Sequence, residues 1–109
     1  MTLKRGVAGY HAWQKAIIGD DMLRKIAQRD HYDIRVIAFA ITIHGQNGRG
    51  CFATAATIAS LVGCSRQTAE DKRRELVNLG WLTIVDRRGG YNKRGITVDI
   101  SLPPTPAPW

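Results

Sequence analysis

Apolar positions along the chain follow two periodicities, and the change from one to the other divides it. From residue 20 to residue 80 apolar side chains recur at three- and four-residue spacing, and from Trp81 to Leu102 they tend to alternate. The first pattern is one face of a helix and the second one face of a strand. Ahead of both, Trp13, Ile17 and Ile18 give a partial helical spacing that Gly6, Gly9 and Gly19 interrupt. Residues 1–19 therefore read as an N-terminal arm.

Within the helical part, Asp20 or Asp21 predicts an N-cap, followed by Met22, Leu23, Ile26 and Ala27 on one face and Arg24, Lys25 and Gln28 on the other. That helix ends near Asp30. Asp33 predicts the cap of a helix from Ile34 to His44, closed by Gly45 in a left-handed conformation. Its interior, Val36 to Ile41, is apolar on nearly every side, which predicts a pillar covered all round by its neighbours. Gln46 to Gly50 reads as a mobile loop and Cys51-Phe52-Ala53 as a short extended piece. Thr54 predicts the cap of a helix with Ile58, Leu61 and Val62 on one face, stopped by Gly63. Only Cys64 separates it from Ser65, which predicts the cap of a helix from Arg66 to Leu79, ended by Gly80. The inward stripe of that helix is Ala69, Leu76 and Leu79, with the stem of Arg73 or Lys72 filling the remaining turn.

Trp81 to Val85 reads as a strand and Ile96 to Leu102 alternates without error, giving one dry and one wet face. Asp86 to Gly95 is a glycine-rich hairpin tip between them, and Trp81 belongs to the core beneath the last helix. Pro103 to Trp109 reads as a polyproline tail or linker, so the folded domain is expected over residues 20–102. Two helices joined by a minimal turn, with a helix before and a hairpin after, predict an α+β, mainly α fold. It is a winged helix-turn-helix with a three-helix core, a C-terminal β-hairpin wing and an extra N-terminal helix.

Charge changes the picture most. Sixteen Lys and Arg against nine Asp and Glu leave +7 on 109 residues, which favours a polyanionic partner. No apolar run approaches the ~20 residues of a membrane span, and no signal-type stretch opens the chain. The expected place is thus the bacterial cytoplasm, at the nucleoid, with no membrane partner. Cys51 and Cys64 lack zinc spacing, and His11, His31 and His44 are scattered, so no metal or cofactor is expected. No Ser/His/Asp grouping, carboxylate pair or phosphate loop supports an enzyme.

The candidate site is the outward side of the last helix together with the hairpin tip. Gln67, Asp71, Arg74 and Asn78 point away from the inward stripe, flanked by Arg66 and Glu70. In a major groove, Arg66 or Arg74 can pair with guanine and Gln67 with adenine. Glu70 and Asp71 either accept from cytosine or pair with Arg73, Arg74 or the neighbours of Glu75 along the helix, and sequence leaves the two readings open. Ser65 and Thr68 leave the helix N-terminus accessible to a phosphate. On the wing, Arg87, Arg88, Lys93 and Arg94 suit phosphates or a narrow minor groove, with Tyr91 and Asn92 beside them. Arg49 and Thr54 are secondary candidates. A protein-interaction module of the same fold is the rival reading.

Residues Gly48 to Thr54 through Gly80-Trp81-Leu82 resemble the winged-helix domain of phage and plasmid replication initiators and replisome organisers. The Gly-x-Ser-x-x-Thr pattern at Gly63 to Thr68 and the Leu-x-x-x-Gly pattern at Leu76 to Gly80 are also similar to GntR-type transcription regulators. The match covers roughly Ile34 to Leu102 and departs at Ala53, where proline is frequent, and at Lys72 or Arg73, where an apolar residue is usual. The resemblance implies double-stranded DNA binding in replication initiation, or else transcriptional regulation, alongside replication or transcription machinery. A two-fold site would require a homodimer, for which the N-terminal third is the candidate surface.

Overall fold

Four of the helices begin where a side chain takes over a free backbone N–H. In the computed structural model, which describes residues 9–43, 45–87 and 96–103, these caps are Asp20, Asp33, Thr54 and Ser65. They accept from Leu23 N (2.9 Å), Arg35 N (2.9 Å), Thr57 N (3.1 Å) and Thr68 N (3.0 Å). The helices they start are α2 (Asp21–Arg29), α3 (Ile34–Thr42), α4 (Ala55–Val62) and α5 (Arg66–Leu79). Before them α1 (Tyr10–Gly19) lacks a side-chain cap and rests instead on tertiary contacts. The fold is α+β and mainly helical, a winged helix-turn-helix whose two-stranded antiparallel sheet is β1 (Leu82–Arg87) and β2 (Ile96–Ile100).

α3 is the hub, packing against α1, α2, α4 and α5. Ile34, Ile37, Ala38 and Ile41 are buried, with Ile58 of α4 and Leu76 of α5 among the core residues. The cover is incomplete, however: Val36 is 49% exposed and Ile43, just past the helix, 64% exposed. The all-round pillar expected from composition is therefore a one-sided stripe, because the neighbouring helices pack only where α3 faces the interior. Met22 and Leu61 are likewise exposed rather than inward, since α2 buries Leu23 and Ile26 and α4 buries Ala55, Ile58 and Ala59. On α5 both Lys72 and Arg73 are buried, while Leu79 is only half-buried.

α3 ends at Thr42, two residues sooner than expected, and His44 lies outside the described residues. Gly45 serves close approach: a Cβ there would lie 2.5 Å from Cys51 Sγ and 2.7 Å from the Arg49 carbonyl oxygen. Gln46 to Gly50 is a tied-down turn, which corrects the mobile loop. Gln46 and Arg49 exchange backbone hydrogen bonds (2.9 and 3.0 Å), the Ile100 N–H donates to the Gly48 carbonyl (2.8 Å), and the Gly50 N–H donates to Asp99 (2.8 Å).

β1 and β2 pair with Leu82 opposite Ile100 and Ile84 opposite Val98, and the register shifts between Ile84 and Asp86. Cys51 extends the pairing, exchanging backbone bonds with Val98 (2.8 and 3.0 Å). Its thiol is buried, and desolvation with the nearby Asp99 carboxylate pushes it up to about 11. Leu102, expected on the dry face, follows the end of β2 and is exposed.

α1 reaches the base of this sheet. The buried Trp13 indole N–H donates to the carbonyls of Trp81 (3.0 Å) and Ser101 (2.9 Å), and the ring meets Phe39 edge-on. Tyr10 shares a 2.8 Å hydrogen bond with the buried Thr42 hydroxyl.

Candidate nucleic-acid interface

Gly63, Cys64 and Ser65 make up the turn between α4 and α5. Gly63 sits at φ 86°, a conformation that L side chains rarely adopt, and its N–H returns to the Ala59 carbonyl at 2.7 Å. Cys64 N–H donates to the same carbonyl at 3.1 Å. Ser65 then opens α5, its hydroxyl donating to Thr68 Oγ1 (2.9 Å) while accepting from the Thr68 N–H. No acid stands in the first turn of α5, so its N-terminal N–H groups keep their positive field.

α5 is anchored from two sides. Arg73 is buried and donates from Nη1 to the Ala53 carbonyl (3.1 Å), which ties the helix to the segment that enters α4. Burial pulls the Arg73 guanidinium below its ordinary range, and the Glu70 carboxylate opposes that shift. Lys72 donates to Asp30 at the end of α2, and it also approaches Glu75 (3.5 Å). Asp30 in addition holds Arg29 (2.8 Å), so four charged side chains from α5 and the end of α2 meet at that corner.

With the inward face fixed, Arg66, Gln67, Asp71, Arg74 and Asn78 are exposed along one side of α5 and Glu70 is half-exposed. Asp71 Oδ1 accepts from Gln67 Nε2 (2.9 Å) and from Arg74 Nη1 (3.2 Å). Of the two readings left open by sequence, pairing along the helix is what the free protein has at Asp71. Arg66 forms no ion pair among the described residues. Thr54 is half-buried as the α4 cap.

Among the described residues, grooves flank α5 on either side of Glu70 and Arg73. One of 390 Å³ runs between Arg74, Val77 and Asn78 on the helix and Ile84 and Ile96 on the sheet. Another, of 370 Å³, lies where Thr54, Ala55 and Ala56 at the start of α4 approach Arg66 and Ile96. Glu70 and Arg73 line both. Sequence patterning places Arg73 only as an apolar stem. Its polar end became visible through its bond to Ala53, for which one-dimensional spacing offers no signal. Arg49 is exposed in its turn and lines neither groove. Arg88, Tyr91, Asn92, Lys93 and Arg94 of the hairpin tip, and the side chain of Arg87, lie outside the described residues.

Among the described residues, no group of three His, Cys, Asp or Glu is placed to hold a metal ion, and no helix is long and apolar enough to cross a membrane. Residues 30–82 match the family model of a helix-turn-helix domain. That span runs from the Asp30 corner through α3, α4 and α5 to the first residue of β1. No curated protein and no solved structure matches the chain.

Proposed function

From a helix-turn-helix domain continued by a β-hairpin, we propose that this chain binds double-stranded DNA in a sequence-specific manner, without catalysis. α5 enters the major groove, whose width of roughly 12 Å admits one helix. The observation that carries the reading is the exposed side of α5, where Gln67, Asp71 and Arg74 present hydrogen-bonding groups on a helix held from behind by Arg73 and Lys72. Side chains that read base edges must be held in register by a rigid scaffold, and those two buried cations supply it. Arg66 and the α5 N-terminus meet backbone phosphate, with Ser65, Thr68 and Thr54 beside them. The wing residues Arg87, Arg88, Lys93 and Arg94, with Tyr91 and Asn92, contact phosphate or a narrow minor groove.

For the biological role, the resemblance to phage and plasmid initiators supports replication initiation. The test captures fragments of the source genome on the protein at near-physiological salt and footprints those enriched. A discrete site is the expected result, and tandem repeats within it favour an initiator. An inverted repeat over a promoter favours a regulator, and would require two copies of the chain on the site. Absence of any enriched fragment overturns the sequence-reading role of α5.

A further inference from the structure

We propose that Asp71 is a positioning residue that sets the base preference of α5, by fixing Gln67 and Arg74 before DNA arrives. The inference rests on the DNA-binding reading and deepens it. One oxygen of Asp71 takes both donors, Gln67 Nε2 at 2.9 Å and Arg74 Nη1 at 3.2 Å. The three residues lie one helical turn apart along the exposed side, so a single carboxylate can reach both neighbours. A carboxylate only accepts, and it therefore dictates which end of the Gln67 carboxamide turns toward it. What Gln67 then offers outward is its carbonyl oxygen and its second N–H, the pair that adenine requires. Arg74, with Nη1 engaged, keeps its Nη2 and Nε donors for a base edge.

Charge argues for the same role. Arg66 and Arg74 are the cations of this exposed side and Glu70 and Asp71 its acids, so the face is balanced within a chain of +7. A phosphate-binding face gains nothing from two carboxylates, which repel the backbone of every sequence equally. Acids on a groove-facing helix make sense where discrimination matters, because they disfavour sites that do not match the arrangement they hold. Asp71 thus trades affinity for any duplex against fidelity at one.

The test compares wild type and Asp71→Ala, which removes the shared acceptor together with the charge, on the selected duplex and on a scrambled duplex of equal length, at two salt concentrations, with a melting curve of each protein. The exposed position of Asp71 in mid-helix and the high helix propensity of alanine keep the fold intact, so the melting curves are expected to coincide. Expected is a fall of about tenfold in the ratio of selected to scrambled affinity. The preference should change at the one or two base pairs beneath Gln67 and Arg74. A uniform gain on both duplexes, with the ratio unchanged, makes Asp71 a simple repulsive charge and overturns the proposal while leaving DNA binding in place. If wild type binds neither duplex, the DNA-binding reading itself fails and the proposal falls with it.

Discussion

Gly45 occupies a place where a single added carbon has nowhere to go. The Cys51 sulfur and the Arg49 carbonyl close on the position from two sides, and both belong to the segment that pairs with β2. Gly45→Ala is expected to lose about 1–3 kcal/mol, the usual cost of overpacking, because the turn must separate from Cys51 to admit the methyl group. Equilibrium denaturation in urea measures it, and an unchanged midpoint would mean that the turn yields freely. Asp30 is a second position where one atom group decides an effect. Arg29 beside it, and then Lys72, hold its carboxyl well below the usual carboxylate range. A depressed value in the folded state means that the unfolded chain takes up the proton first. Its contribution is therefore present above the ordinary carboxylate value of about 4 and is lost as pH falls below it. Asp30→Asn should lower the melting temperature at pH 7, and the deficit should shrink on acidification toward pH 3. A deficit that is the same at both pH values would assign the loss to geometry rather than to charge.

At the level of elements, Trp13 binds α1 to the wing. Its indole N–H serves two carbonyls, those of Trp81 and Ser101, and the Ser101 N–H also donates to the Trp81 carbonyl at 3.0 Å. Trp13→Phe keeps an aromatic ring in the core and removes only the donor and part of the volume. A loss of about 1–3 kcal/mol is expected from the weakened satisfaction of buried carbonyls. Hydrogen exchange should place the loss in α1 and at the base of β2 rather than in α4 and α5. Equal loss of protection throughout would mean that α1 and the wing do not open as a separate unit. This helix was also the least legible in the sequence, and for a physical reason. Gly9 and Gly19 bracket it, no side chain caps it, and its stability comes from partners 68 and 88 residues away, which local spacing does not encode. α2 to α5 were legible because their start signals are local: each cap acts on an N–H two or three residues on. The 46–50 turn misled by composition, since Asn and Gly suggest freedom while the bonds that restrain it come from Asp99 and Ile100. Within the site, the outward residues of α5 followed from the wheel, whereas the sharing of Asp71 between Gln67 and Arg74 depended on rotamers that spacing leaves open.

For the molecule as a whole, the balanced face of α5 requires that the +7 surplus act elsewhere. Salt dependence of DNA affinity counts phosphates neutralised, with a slope near −0.9 for each contact on B-form duplex. A helix whose Arg74 is already matched by Asp71 adds little to that count, while the 87–94 stretch carries Arg87, Arg88, Lys93 and Arg94 with no acid between them. Affinity and selectivity are thus expected to be separable by region. Replacing the four wing cations by Gln should weaken binding to every duplex alike and flatten the slope by roughly one unit for each contact removed. The base preference should stay as it is. Arg74→Gln should do the reverse, changing the preferred bases with a slope close to that of wild type. Fluorescence anisotropy titrations of both variants across a salt series, on selected and scrambled duplexes, resolve the two effects. A steep slope that survives loss of the wing cations would leave the phosphate contacts wholly to the exposed cations of the helical part, Arg66 with Arg49. The wing would then be a packing element of the sheet rather than part of the interface.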